Sequence, residues 1–117
     1  MIKKFVFGHP FSTCAVVKDI EKSDGKLPYF TTDGNGNFEY SFSENDIVYG
    51  LGEQARGINK RGWEYVSWNY DNPNHQEDTR SLYGAHNFII VKGTATFGAF
   101  FDYPGKLVFD IGYTSRN

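Results

Sequence analysis

The hydrophobic residues of this chain alternate with polar ones far more often than they recur at helical spacing. Phe38-Glu39-Tyr40-Ser41-Phe42-Ser43 puts an aromatic ring at every second position, as a strand with one buried face requires. Ala95 to Asp102 puts Phe97, Ala99 and Phe101 on one face, with Gly98 and Phe100 on the other. Lys106 to Tyr113 likewise separates Leu107, Phe109, Ile111 and Tyr113 from Val108, Asp110 and Gly112. Further strands are predicted at Ile2 to Phe7, Thr13 to Lys18, Leu27 to Thr32, from Ile47, and at Asn87 to Lys92. Turn residues interrupt these runs at Gly8-His9-Pro10, Asp24-Gly25, Glu44-Asn45-Asp46, Gly93 and Tyr103-Pro104-Gly105. Asp33-Gly34-Asn35-Gly36 is the strongest hairpin signal, because its residues tolerate positive φ. Turns at roughly ten-residue intervals predict an antiparallel sandwich or barrel. No segment shows a convincing period of 3.6.

Composition agrees with this all-β reading. Aromatic residues make up 18% of the 117, with 11 Phe, 8 Tyr and 13 Gly. Rings and β-branched residues suit pleated, half-buried surfaces. The length fits one domain, 1–117. Twelve basic against 14 acidic side chains leave a net charge of −2, without the basic footprint that nucleic acid or an anionic membrane selects. No apolar run approaches the ~18 residues of a membrane span, and the N-terminus carries no signal-peptide core. The lone Cys14 excludes a disulfide framework, and the expected compartment is the cytoplasm.

Several motifs invite chemistry and are better explained by backbone needs. Asp33-x-Asn35-x-Asn37 with Glu44 mimics a calcium loop, but Phe38 stands where the sharp turn needs Gly, and a strand follows where a helix should. Gly34-Asn35-Gly36 and Gly50-Leu51-Gly52 lack the Lys-Ser/Thr and the helix of a phosphate loop. His75, Glu77, Asp78 and His86 match no metal-ligand spacing. Cys14 reads as core rather than nucleophile. Neither Glu77-Asp78 nor Glu53 with Asp71 is forced into the facing carboxyl pair of a glycosidase. No metal and no cofactor is expected.

What remains is a surface suited to sugars in the polar, aromatic stretch Ile47 to Ile90. Trp63, Tyr65, Trp68 and Tyr70 offer rings for stacking, while Asn69, Asp71, Asn72 and Arg80 offer donors and acceptors for hydroxyls. In the alternating run Trp63 to Trp68 some rings must be core, and Trp63 and Tyr65 are expected there.

The same stretch carries a resemblance. Ile47-Val48-Tyr49-Gly50-Leu51-Gly52-Glu53, Asn59-Lys60-Arg61-Gly62, Trp68-Asn69-Tyr70-Asp71 and Leu82-Tyr83-Gly84-Ala85-His86-Asn87-Phe88 follow one another as in the N-terminal β-domain of glycoside hydrolase family 31. That family holds α-glucosidases and α-xylosidases. The likeness covers Phe38 to Tyr113, about two thirds of the chain, with Phe97-Gly98-Ala99-Phe100-Phe101-Asp102 as its continuation. It implies a galactose-mutarotase-like β-sandwich preceding a (β/α)₈ barrel that supplies both catalytic aspartates in a retaining mechanism. A barrel takes ~250 residues, so the chain reads as part of a longer glycosidase and as inactive alone.

By the same resemblance, an Asp in an Asn-x-Asp loop contacts the sugar. Asp71, within Asn69-Tyr70-Asp71, is the matching residue. Pro73 stands where some members make a second polar contact. Gly50, Gly52 and Glu53 are read as structural residues that direct the loop out of the sheet. The implied partners are the barrel of the same parent chain and an oligosaccharide. Two other functions stay open: an independent carbohydrate-binding module, which needs a preformed aromatic site, and a mutarotase-like epimerase, which needs a His and a carboxylate on a concave sheet face. A domain deprived of its barrel is also expected to self-associate through an exposed apolar patch.

Overall fold

The computed structural model describes residues 1–9, 19–52, 56–68 and 85–114. Seven strands occur among these residues, in this order: β1 (Thr31–Thr32), β2 (Phe38–Glu39), β3 (Ile47–Gly52), β4 (Trp63–Ser67), β5 (Ala85–Lys92), β6 (Thr96–Phe100) and β7 (Leu107–Ile111). All strand pairs are antiparallel, and no helix occurs among the described residues. The fold is all-β, as the alternation predicts. The chain divides into two units, 1–41 and 42–117.

In the first unit the Asp33–Gly36 turn joins β1 to β2, with Thr32 opposite Phe38. Asp33 organises the turn. Its Oδ1 accepts the Asn35 N–H at 2.7 Å and its Oδ2 accepts from Asn37 Nδ2 at 2.7 Å. These bonds, the Asn37 side chain first, hold the Asp33 carboxyl below its ordinary pKa. The motif that mimics a calcium loop is thus a hairpin turn bonded to itself. The strand expected from Ile2 to Phe7 does not form. A single parallel bridge, Lys4 to Lys22, takes its place. Lys4 also donates to Asp19 and accepts from the Ser23 N–H at 2.8 Å, so its bonds run to a loop rather than along a ladder. The segment 13–18 lies outside the described residues.

The second unit has two layers. A three-stranded sheet runs β3-β5-β6, and β4 pairs with β7. The period-two pattern puts Ile89 and Val91 of β5 inward with Val48 and Leu51 of β3, against Tyr65 of β4 and Phe109 and Ile111 of β7. Tyr65 and Phe109 are direct cross-strand partners. The Phe101 and Phe109 rings meet edge to face at 5.6 Å, a favoured geometry that adds to the burial itself. Each such side chain contributes roughly 1.5–3 kcal/mol when fully buried. The opposite face of β5 and β6 carries Phe88, Ile90 and Phe100, the last 66% exposed.

Two local devices hold the entry to this core. At the end of β3, Gly50, Leu51 and Gly52 all have positive φ, at 119°, 66° and 70°, and the pairing with β5 shifts register there. A Cβ on Gly50 would lie 2.2 Å from the Phe88 carbonyl oxygen, so the residue must be glycine. The second device is built from the Asn59-Lys60-Arg61-Gly62 motif. Asn59 Oδ1 accepts the N–H groups of Val48 and Arg61 at 3.3 and 3.2 Å. The Lys60 N–H donates to the Val48 carbonyl at 2.7 Å. Arg61 Nη1 donates to the carbonyls of Ser43, Glu44 and Asp46 at 2.7, 3.1 and 3.0 Å, and its guanidinium lies 4.7 Å from the Phe42 ring centre. A four-residue motif thereby fixes both the start of β3 and the turn before it.

Candidate functional site

The candidate residues Trp68 to Asp71 follow β4 directly in sequence. Trp68, directly after β4, is 50% exposed. The connection that follows, 69–84, contains Asn69, Tyr70 and Asp71, and these three lie outside the described residues, as do Glu53, His75, Glu77 and Asp78. Its two ends are described. Ser67, the last residue of β4, is buried and its Oγ donates to Asn87 Oδ1. Asn87 Nδ2 donates to the Tyr103 carbonyl at 3.3 Å, and its own carbonyl accepts the Phe101 N–H at 2.9 Å. Tyr103 is itself largely exposed. Gly50 and Gly52 close β3 immediately before position 53.

The tryptophan expected in the core is not there. Tyr65 is buried to 1% exposure, but Trp63 is 41% exposed. Trp63 opens β4 at the sheet's end, where its covering is a cation: the Arg56 guanidinium lies 4.2 Å from its ring centre and 5.2 Å from that of Tyr65. Stacking of this kind is worth ~0.5–2 kcal/mol depending on desolvation. Pattern reading alone finds the rings of β4 but not the arginine that covers them, since Arg56 belongs to no periodic run.

Lys60 completes the cationic side of this cluster. It is only 7% exposed, and its Nζ donates to the Gly57 carbonyl at 2.9 Å while lying 5.8 Å from the Tyr65 ring centre. Burial, then the Arg56 charge, pushes its pKa below the ordinary 10.5. The unfolded chain therefore holds this proton to higher pH than the folded one, and stability from this residue rises with pH across the window below 10.5. Burial acts oppositely on Tyr65, raising its hydroxyl above 10.0, so its contribution falls once pH climbs past that value. Lys60→Met keeps the aliphatic stem and removes the charge. Thermal midpoints followed as pH approaches 10.5 from below should show the rise in the wild type and its loss in the variant, with the variant at least as stable at pH 7.

His86 is exposed on β5. Among the described residues no group of three or more His, Cys, Asp or Glu side chains is placed to hold a metal ion, and no helix is long and apolar enough to cross a membrane.

A family model for the glycosyl hydrolase 31 N-terminal galactose mutarotase-like domain matches residues 13–110. The chain belongs to this family. The family 31 domain is 38% identical to alpha-glucosidase 2 of Bacillus thermoamyloliquefaciens over 69 residues, which is 57% of this chain and 9% of that protein. Among solved structures it resembles the Flavobacterium johnsoniae family 31 dextranase. A variant of that enzyme complexed with isomaltotriose matches over 80% of this chain and 12% of its own, with 28% identity and a TM-score of 0.61. The same enzyme complexed with glucose matches over 79% and 11%, with 29% identity and a TM-score of 0.60. The family 31 domain thus spans about a tenth of the length of the relatives it matches.

Proposed function

We propose that this chain is a non-catalytic part of a family 31 α-glycosidase, and that it lends the substrate site the loop bearing Asp71. The observation that carries the reading is the position of Asn69-Tyr70-Asp71: it directly follows the exposed Trp68, in the connection whose two ends are bonded together through Ser67 and Asn87. In this reading the parent's barrel supplies the catalytic carboxylates of a retaining mechanism, and Asp71 accepts hydrogen bonds from sugar hydroxyls at its mouth. Gly50, Gly52 and Glu53 direct the neighbouring segment out of β3. The substrate class is an α-linked glucoside, in keeping with an α-glucosidase and a dextranase among the relatives.

A hydrogen bond to a charged group is worth ~1.5–3 kcal/mol, and each 1.36 kcal/mol is tenfold in rate. Asp71→Ala in the full-length enzyme should therefore lower kcat/KM for an α-glucoside by about 10- to 100-fold without changing the thermal midpoint. Unchanged kinetics would refute the role of Asp71. The exposed Trp68 favours one competing reading, an independent carbohydrate-binding module. Calorimetric titration of the isolated chain with glucose, maltose, isomaltose and xylose separates the two. An accessory domain gives no detectable binding, whereas a module binds at millimolar concentration or tighter and loses binding in Asp71→Ala.

A further inference from the structure

We propose that Asn35-Gly36 is a self-modification site, where a succinimide forms spontaneously and its hydrolysis loosens the β1–β2 hairpin. The reaction joins two neighbouring groups. The Gly36 backbone nitrogen, having lost its proton to base, attacks Cγ of Asn35. A bond forms between that nitrogen and Cγ, the bond from Cγ to the carboxamide nitrogen breaks, and ammonia leaves after taking a proton from water. Water then opens the five-membered ring. Opening at the former side-chain carbonyl leaves an aspartate, and opening at the main-chain carbonyl leaves an isoaspartate, with the chain rerouted through Cβ.

The turn leaves both reacting groups free. Asp33 pins the chain on either side of this peptide: Oδ1 accepts the Asn35 N–H at 2.7 Å and the Asn37 N–H at 3.4 Å, and Oδ2 accepts from Asn37 Nδ2 at 2.7 Å. Between these anchors, neither the Asn35 carboxamide nor the Gly36 N–H bonds to any described residue. Both residues are exposed. A Cβ on Gly34 or Gly36 would meet nothing within 4 Å, so the Asn35 side chain has room to swing onto the Gly36 nitrogen, which no side chain shields. The other asparagines among the described residues are tied down. Asn37 Nδ2 is committed to Asp33. After Asn45, the Asp46 N–H donates to the Ser43 carbonyl at 3.2 Å, and after Asn59 the Lys60 N–H donates to the Val48 carbonyl at 2.7 Å. Asn87 is bonded through both side-chain polar atoms, to Ser67 and to the Tyr103 carbonyl. Among them only Asn35 has nucleophile and electrophile both unengaged.

The hairpin has little with which to resist the product. Its strands are two residues each, and a short two-stranded ladder is marginal in water. An isoaspartate lengthens the turn by one backbone atom, and either product sets a second carboxylate two residues from Asp33. The pairing of Thr32 with Phe38 is then lost. Phe38 also meets the Phe7 ring edge to face at 5.1 Å, so the release reaches residues 1–9.

The test holds the full-length protein at pH 6 and at pH 9 and maps it by mass after trypsin. The peptide 27–56 carries Asn35, Asn37 and Asn45 together, so it contains its own controls. Amide-to-acid conversion should appear at Asn35, grow with hydroxide concentration, and run about tenfold slower at Asn37 and Asn45, the factor that one retained hydrogen bond carries. The isolated 27–56 peptide should convert at Asn35 at a rate comparable with the folded protein. A peptide that converts while the folded protein does not would show that the turn protects the site, and the proposal fails. Equal rates at the three asparagines of the folded protein overturn it as well. Hydrogen exchange across 31–39 should quicken in step with conversion, and Asn35→Ser, which cannot cyclise in this way, should abolish both changes. Exchange that quickens equally in Asn35→Ser, or that stays unchanged in fully converted protein, refutes the effect on the hairpin.

Discussion

Gly50→Ala should abolish cooperative folding of the 42–117 unit. The added Cβ would lie 2.2 Å from the Phe88 carbonyl oxygen and 3.1 Å from the Ile89 Cα. Both obstacles are backbone atoms of the paired strand, so no rotamer change relieves the contact. The only relief is to separate β3 from β5, which withdraws Val48 and Leu51 from Ile89 and Val91. The φ of 119° adds strain that an alanine does not tolerate. Substitutions that combine backbone clash with a forbidden φ belong to the rare class that costs more than about 4 kcal/mol. A domain holds only ~5–15 kcal/mol in all. Gly57→Ala is the matched control, since a Cβ there meets nothing within 4 Å. Its thermal midpoint should stay within about 2 °C of wild type, a shift equivalent to less than ~0.5 kcal/mol. A Gly50→Ala protein that melts cooperatively near the wild-type temperature would contradict the close approach of β3 and β5.

Arg61→Ala should cost about 2–3 kcal/mol, the second largest effect, as charge-assisted bonds to carbonyls would predict. One nitrogen of this side chain serves three carbonyls, and the guanidinium face covers Phe42. Removing it leaves the Glu44 carbonyl to water and the Ser43 carbonyl with the Asp46 N–H at 3.2 Å. The Asp46 carbonyl belongs to a residue only 3% exposed, where water is a poor substitute. Arg61→Lys should recover about half of the loss, because an ammonium can donate to the same oxygens but cannot lie flat on a ring. These three partners are carbonyl dipoles, so their share of the penalty should persist in 0.5 M salt, where the Debye length is only about 4–5 Å. A penalty that vanished with salt would point to a surface ion pair instead.

The alternation of aromatic and polar residues made the second unit readable, because strands with one buried face advertise themselves. Phe97, Ala99 and Phe101 face inward and Phe100 outward as the pattern requires, and β7 buries Phe109 and Ile111. The first unit was less legible. Ile2 to Phe7 has a strand's composition, yet only the Lys4–Lys22 bridge forms, since β propensity needs a partner ladder to be realised. The pattern also extended β2 to Ser43, whereas pairing stops at Glu39. The Asn59–Gly62 motif was visible as a motif but its work was not, because Arg61 acts on carbonyls some fifteen residues away and no periodicity records that. Trp63 deceived for a similar reason: alternation assigns it the core side of β4, and the end of the strand leaves it to Arg56. The Ser67–Asn87 bond joins two residues 20 positions apart that look unremarkable in sequence.

The spacing of strand partners along the chain has a consequence for the order of folding. β5 and β6 pair across a connection of three residues, whereas β4 meets β7 from Ser67 to Leu107, roughly forty residues away. Loop-closure entropy grows with separation, and long-range strand pairing is slow. The β5–β6 hairpin should therefore form early and recruit β3, with the β4–β7 layer expected to close last. During synthesis the inner face bearing Val48, Ile89 and Val91 must wait, uncovered, until residue 111 has left the ribosome. In that interval the uncovered apolar face is open to wrong partners, and a pause in translation after β6 should lengthen its exposure.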